Sequence, residues 1–353
     1  MNRILYTLLG LLLLGLSTPV EAGNPDRQGE AGAAQLLINP WARSAGLHSM
    51  TTANVKGVEA MRINVAGLSR INKTEFALGH TRYLEGADIS INSFGFAQRM
   101  GKSGALGVSL MAMDFGDINV TTENNPQGTG ATFSPRWINI GFSYAHTFEN
   151  KISVGITFRG VSESIADLNA FGFAIDAGVQ YVTGAEENFK FGIALRNVGT
   201  RMSYRGQGLA ENLNNPQNEQ IPYQLSYFQR AQQFELPSAL YIGLSYDFYA
   251  DKRHRITALG NFTANSFSQD QIGGGLEYSF NELFSLRAAY RIDFGETSDG
   301  TEVGDNVETG LAAGASLEVP MKKGSTNRLG IDYAYRATNP WNGIHNITVR
   351  ISL

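Results

Sequence analysis

Apolar and polar residues alternate with a period of two across residues 136–164. Ile138, Ile140 and Phe142 alternate with small or polar residues, and the pattern resumes after a polar turn at 149–151. A period of two indicates β-strands with one apolar face. These strands run for about ten to thirteen residues, longer than is usual in a soluble sheet and long enough to cross a bilayer at a tilt. The hairpin therefore predicts part of a lipid-facing barrel wall.

The same alternation recurs through the rest of the chain and predicts fourteen strands. An even number of strands returns the C-terminus to the side on which the first strand begins, as bacterial barrels require. We therefore expect an all-β fold, a transmembrane antiparallel β-barrel of about 14 strands. The predicted strands are 74–84, 87–99, 104–115, 136–148, 152–164, 170–182, 189–204, 239–250, 254–265, 270–280, 283–294, 306–319, 327–337 and 344–353.

The connections between these strands differ in length on the two sides of the predicted barrel. Those after even-numbered strands are short, whereas the two longest, 116–135 and 199–238, follow odd-numbered strands. Short turns on one rim and long loops on the other are typical of outer-membrane barrels. Aromatic residues gather beside the short turns, where an interfacial girdle is expected. They are Phe148, Tyr181, Phe189, Tyr246, Phe248, Tyr278, Phe280 and Phe284.

The N-terminal region differs from the predicted barrel, residues 73–353. Arg3, an apolar run at 4–16 and a small residue at Ala22 predict a signal peptide, 1–22, cleaved after Ala22. The apolar run is shorter than the ~20 residues that a membrane-spanning helix needs. Residues 23–72 show no sustained period, and we interpret them as a plug or collar made of loops and short helices.

Composition limits the classes of function. Charged residues make up 17% of the chain, there are 40 glycines, and cysteine is absent. The absence of cysteine excludes disulfides, thiolate metal sites and a cysteine nucleophile. The formal net charge of −4 is too small to favour a nucleic-acid partner, and we predict none.

Alternation places many charged residues on the inner face of the predicted barrel. Reflecting the hairpins about their turns brings Arg159 near Asp176 and Glu277 near Arg287. We interpret these as structural ion pairs that brace the lumen rather than as a ligand site. The run 273–275 of three glycines lies within a strand and predicts close approach of the plug to the wall.

Catalytic chemistry has little support in the sequence. None of the five histidines has metal-ligand spacing, and His80 and His146 share the parity of outward-facing residues. A serine hydrolase would need a histidine beside a serine on one surface. We therefore predict no catalytic residue, no cofactor and no metal site. A lipid-modifying hydrolase in the barrel wall is a third, disfavoured possibility.

Three stretches also resemble the PorV/PorQ family. They are 36–46 with Ala53 and 64–68, then 109–116, then 191–199. In the N-terminal stretch the matching positions are Asn39, Pro40, Ala42, Arg43, Gly46, Asn64 and Gly67.

This resemblance implies an outer-membrane barrel of the type IX secretion system of Bacteroidetes, similar in fold to the fatty-acid transporter FadL. It implies a non-enzymatic protein, surrounded by outer-membrane lipid, that binds exported cargo through the cargo's C-terminal sorting domain, or binds translocon or attachment partners. The loops 116–135 and 199–238 are the expected contact surfaces because they are the longest. The alternative is a FadL-like transporter or channel for a hydrophobic small molecule, in which residues 33–68 would gate a pocket in the lumen.

Overall fold

The computed structural model describes residues 27, 29–149, 151–214, 224–294, 307–322 and 325–353. The predicted signal peptide, residues 1–22, lies outside them. Within the described residues, fourteen long strands follow one another along the chain. In order, β1–β14 are Thr74–Tyr83, Ile89–Met100, Gly104–Asp114, Arg136–Phe148, Ile152–Ile165, Leu168–Thr183, Phe189–Gly199, Ala239–Tyr249, His254–Asn265, Asp270–Phe280, Phe284–Phe294, Glu308–Pro320, Arg328–Thr338 and Ile344–Ser352.

The strands close into a barrel. Each strand pairs antiparallel with its neighbour in sequence, and β14 pairs with β1 from Glu75↔Ser352 to Arg82↔His345. Closure leaves no open edge in this sheet, which removes the template for pairing with another chain. The predicted fold, a closed antiparallel barrel of fourteen strands, is therefore confirmed.

The inward and outward faces follow the predicted alternation. In β4, Trp137, Asn139 and Ser143 are buried, whereas Ile138, Ile140 and Phe142 are exposed. Because exposed apolar side chains continue around the outer surface, that surface suits the hydrocarbon of a bilayer.

Strand bounds agree with the predicted ones within two residues, apart from one strand. The sequence predicts strand 189–204, but β7 ends at Gly199. Its pairing with β6 shifts register between Ile175 and Ala177, and Asn197 adopts a positive φ of 58°. A bulge of this kind bends a strand and ends its regular pairing.

We call the barrel end with the short connections the turn side and the opposite end the loop side. Small hairpins project from two loop-side connections: Ile118–Asn119 pairs with Thr132–Phe133, and Ala210–Asn214 pairs with Gln224–Phe228. Arg205–Gly206 pairs with the first two residues of β6, Leu168 and Asn169.

The residues before β1 form short helical turns. They comprise a 3₁₀ turn at Ala34–Leu37, α1 at Ala42–Ala45, α2 at Ala60–Ile63 and a second 3₁₀ turn at Val65–Arg70. In the part of the chain that the structure describes, no helix has the length and apolar character needed to cross a membrane.

Candidate functional site

Residues 33–71 lie inside the barrel, against the inner face of its wall. Glycines at inward-facing positions permit this approach, because a Cβ at each would collide with the segment. A Cβ on Gly95 would lie 2.1 Å from Val58, and one on Gly192 would lie 2.3 Å from the Thr52 carbonyl oxygen. Within the predicted glycine run, a Cβ on Gly273 would lie 2.4 Å from Met50 Sδ, so close approach is confirmed there.

The motif residues from Asn39 to Gly46 attach the segment to the seam where β1 meets β14. The Asn39 side chain bonds to Ser44 and Ser49, and its carbonyl accepts from Asn346 Nδ2 at 3.3 Å. The Ala42 N–H donates to Thr348 Oγ1 at 2.9 Å. Further contacts come from the Pro40 carbonyl, which accepts from Thr81, from Gly46, whose Cβ would lie 3.0 Å from Gly314, and from Arg43, which lines the lumen cavity.

Asn64 and Gly67 connect the segment to the opposite wall and to itself. Asn64 Nδ2 donates to the carbonyls of Thr52 at 2.9 Å and Val179 in β6 at 3.0 Å. A Cβ on Gly67 would lie 2.1 Å from the Val55 carbonyl oxygen, so glycine allows two turns of the segment to meet. All seven motif positions therefore lie in or beside the lumen.

Arg62 organises the segment, and sequence reasoning missed it. Its guanidinium is buried and donates to the carbonyls of Gln35, Leu36 and Ile38 at 2.6–3.0 Å. An arginine can serve several carbonyls because its donors are arranged in a fixed fork. In the sequence, Arg62 stands out only as an arginine between Met61 and Ile63, and this pattern does not identify the carbonyls that it binds.

The predicted pair of Arg159 and Asp176 joins β5 to β6. Arg159 Nε lies 2.6 Å from Asp176 Oδ2, and both side chains are almost fully buried. Asp176 Oδ1 accepts from the Asn197 N–H at the bulge, at 2.7 Å. Arg159 also donates to the Met61 carbonyl, so the pair binds the inner segment as well as the wall.

The predicted pair of Glu277 and Arg287 belongs to a longer polar chain on the inner wall. Arg287 Nε lies 2.5 Å from Glu277 Oε2, and Arg255 lies 3.1 Å from Glu277 Oε1. Each strand from β7 through β14 contributes one residue to this chain of polar side chains. They are Lys190, Asp247, Arg255, Glu277, Arg287, Ser316, Asp332 and Arg350.

A cavity of about 530 Å³ opens toward the turn side of the lumen. Glu59 lies in its wall, accepts from the Ser44 N–H at 3.0 Å, and has its carboxyl pKa raised by burial. Charged groups of both signs surround the space, which therefore suits water and polar groups. They are Arg43, Lys56, Glu59, Arg70, Arg99, Lys102, Glu186, Glu187, Lys190, Asp247, Arg255, Glu277 and Glu282.

The loop side of the lumen is filled by an apolar cluster with three contributors. The wall supplies residues such as Ile91, Met113 and Trp137, the inner segment supplies Leu36, and loop 200–238 supplies Met202 and Leu236, among others. Trp137, Leu36 and Met202 are buried to within two per cent of complete. The lumen thus contains a polar cavity toward the turn side and an apolar cluster toward the loop side.

His48 lies near the loop-side end with its ring almost fully buried. Its Nε2 lies 3.6 Å from Glu308 Oε2, and neither ring nitrogen has a hydrogen-bond partner among the described residues. Burial, with the charge of Arg291 adding to it, lowers the pKa of the His48 imidazole to about 3.

Among the described residues, neither His80 nor His146 forms a hydrogen bond to a serine. His80 is exposed on the outer face, with Nδ1 2.9 Å from Asn92 Oδ1, and His146 Nδ1 lies 3.4 Å from the Tyr144 hydroxyl. Across the described ranges, the side chains form no group of three or more His, Asp or Glu suited to a metal ion.

Solved structures similar to this one include hydrocarbon channels and transporters, and the similarity concerns the fold alone. The CymD monoaromatic hydrocarbon channel aligns with a TM-score of 0.54 at 13% identity, covering 90% of this chain and 97% of that one. The Ralstonia pickettii toluene transporter TbuX aligns at 0.53 and 14%, covering 89% and 97%. The Pseudomonas putida toluene transporter TodX aligns at 0.52 and 13%, covering 87% and 96%.

Sequence comparison assigns the family. No curated protein matches the chain. The family model "Type IX secretion system membrane protein PorP/SprF" matches residues 87–351, which is most of the chain. The narrower PorV/PorQ resemblance is not confirmed by this match, although the secretion system is the same. The chain therefore belongs to the PorP/SprF family of type IX secretion system membrane proteins.

Proposed function

We propose that this protein is a non-enzymatic outer-membrane component of type IX secretion that binds exported cargo or other parts of the machinery. Binding takes place through the long loops and the loop-side rim. Membership of the PorP/SprF family supports the secretion system. Because long loops lie on the outer side of outer-membrane barrels, the loop side faces the cell exterior in this proposal.

The observation that carries the proposal is the hairpin Ala210–Asn214/Gln224–Phe228 in the longest loop. Tyr227 is 44% exposed and Phe228 65% exposed on this hairpin. Aromatic side chains held in such positions are enriched in protein–protein interfaces. The hairpin belongs to the loop that fills the lumen end, so a partner can bind there while the barrel stays closed.

In this proposal residues 33–71 serve as a plug. The segment extends from the apolar loop-side cluster to the polar turn-side cavity of the lumen, and it meets the wall at several inward-facing glycines. A barrel filled in this way suits the binding of a protein partner at its rim better than the diffusion of small molecules through its lumen.

Excision of residues 210–228 tests the proposal. The Gln229 N–H donates to the Leu209 carbonyl at 2.9 Å, so the cut ends already adjoin and a short glycine linker can join them. We expect the barrel to keep its heat-modifiable migration on gels while export or surface attachment of cargo is lost. Unchanged export from cells producing the shortened protein would refute the assignment.

Point variants make this test sharper. Tyr227→Ser combined with Phe228→Ser should reduce cargo recovered with the purified barrel about tenfold or more, because interface aromatics often dominate binding. Gln207→Ala, an exposed polar change in the same loop, should leave recovery unchanged. Equal recovery from both variants would move the contact away from the hairpin.

The second candidate is a passage for hydrophobic small molecules, which the fold shared with hydrocarbon channels favours. Charged groups line the cavity in the described lumen, and apolar side chains fill the loop-side end of the lumen. We therefore place this function second. Saturable binding of toluene to the purified barrel would reverse the order.

A further inference from the structure

The inner segment and the longest loop meet over the loop-side end of the lumen through two isolated β-bridges, Ala31 with Glu235 and Met202 with Phe234. We call the two arms of the loop, residues 200–204 and 234–238, the stems. The two stems bond to each other through the N–H and carbonyl groups of Met202 and Phe234, both at 2.9 Å. The Gly32 N–H donates to the Glu235 carbonyl at 2.9 Å, and the Glu235 N–H donates to the Glu30 carbonyl at 3.2 Å. The stems and residues 30–32 therefore form one cover.

One carboxylate connects the charged side chains of this cover. Glu235 Oε1 lies 2.7 Å from Arg201 Nη2, and Glu235 Oε2 lies 3.1 Å from Arg27 Nη2. The Arg27 guanidinium carbon also lies 4.3 Å from the centre of the Phe267 ring in the β9–β10 connection. We call Arg27, Arg201 and Glu235 the latch.

The latch is accessible to water, whereas the cluster beneath it is not. The Arg201 and Glu235 side chains are 63% and 31% exposed. Exposed ion pairs of this kind are weak and are screened by salt. Met202 and Leu236, which lie beside the latch in sequence, are buried in the apolar cluster. If the cover lifts, this cluster becomes exposed.

The chain turns sharply where the cover joins the inner segment. Ala33 adopts a left-handed conformation with φ 51°, which is strained for a residue with a side chain. A Cβ on Gly32 would lie 2.3 Å from the Phe234 ring, so the loop packs directly on the backbone at this point. The bend is held by contacts from the loop, and it loses them when the loop moves.

We propose that this cover is a releasable gate on the lumen and that Glu235 is the residue that holds it closed. When the latch breaks, the stems separate from Arg27 and residues 29–32, and the apolar cluster becomes accessible from the loop side. The gate is a property of the barrel itself and does not require a partner, so it can be tested without assuming the proposed function.

A single reporter thiol tests the gate, because the chain contains no cysteine. Ala170, an inward-facing wall residue of the cluster, is 2% exposed. The full mature barrel carrying Ala170→Cys would be purified in lipid nanodiscs, and its rate of reaction with a charged maleimide measured. Adding Glu235→Gln should raise the rate about two- to fivefold, a modest change because the ion pairs are exposed.

The matched control is Arg230→Gln. Arg230 is exposed in the same loop and forms no ion pair among the described residues, so this change should leave the rate unaltered. High salt should accelerate labelling of the parent but not of the Glu235→Gln variant, because that variant has no latch left to screen. Equal labelling of the parent and Glu235→Gln, or an equal increase from Arg230→Gln, would overturn the proposal.

Discussion

Arg159 Nε lies 2.6 Å from Asp176 Oδ2 across the β5–β6 pair, with both side chains nearly excluded from solvent. The same arginine bonds to the Met61 carbonyl, and the same aspartate accepts from the Asn197 N–H. One ion pair thus joins two strands, the inner segment and the bulge that ends β7.

Removing one member of this ion pair should destabilise the barrel. Asp176→Ala leaves the buried Arg159 cation without its partner and should lower the free energy of unfolding by about 3–5 kcal/mol. The measurement is the urea midpoint of the heat-modifiable band in detergent. The double change Arg159→Met with Asp176→Leu removes both charges and should recover much of the loss. A single variant no less stable than the double would contradict this account.

The inner segment should be sensitive to an added methyl group on the wall. A Cβ on Gly155 in β5 would lie 2.8 Å from the Val65 backbone, so Gly155→Ala should displace the segment. We expect a loss of about 1–3 kcal/mol, typical of overpacking, and faster proteolysis before residue 74.

Gly160→Ala in the same strand is the matched control for that change. Its Cβ would lie 3.8 Å from Phe171, an ordinary contact, and its effect should be small. Equal protease sensitivity in the two variants would show that the segment does not press on the wall at Gly155.

Acid should weaken the inner packing through His48. The imidazole pKa is about 3 in the folded protein and 6.5 in the unfolded chain, so protons bind the unfolded state more readily below about pH 6.5. The stability present at neutral pH is therefore lost as the pH falls from about 6.5 toward 3. Between pH 6.5 and 4.5 the loss should be on the order of 2–3 kcal/mol. Thermal unfolding in detergent across that range measures it.

His48→Asn supplies the control for acid sensitivity. Asparagine tolerates the positive φ of 52° at this position and does not titrate. The variant should lose less stability between pH 6.5 and 4.5 than the parent does. Identical pH profiles would assign the acid effect to other groups, such as those around Glu308, Arg291 and Arg336.

Residue 27 lies at the loop side, whereas β1 begins at the turn side, so the inner segment passes through the barrel. If the loop side faces outward, an epitope tag placed directly before Arg27 should bind antibody on intact cells. A tag inserted in the β12–β13 turn, after Met321, should bind only once the outer membrane is permeabilised. The reverse pattern would invert the orientation.

Much of the wall could be predicted because its determinants are local. Alternation over ten or more residues defines both a strand and its faces, and tight turns set the register of neighbouring strands. Reflection about a turn was enough to bring Arg159 toward Asp176. The end of β7 was placed five residues too late, because the bulge at Asn197 depends on packing against β6 and on the Asp176 carboxylate.

The interior could not be predicted to the same extent. Arg62 bonds to carbonyls 24–27 residues away, and Glu235 meets Arg27 across more than half the chain. Irregular backbone has no periodicity that encodes its partners, so these contacts depend on where the closed barrel holds each group.

The sequence by itself determined that the chain forms an amphipathic, membrane-suited barrel, because a period of two is a one-dimensional pattern that maps directly onto two faces. Tertiary structure decided what fills that barrel. The path of residues 33–71, the polar cavity beside them and the latched cover above them arise from contacts between residues far apart in sequence, which exist only after the wall has closed.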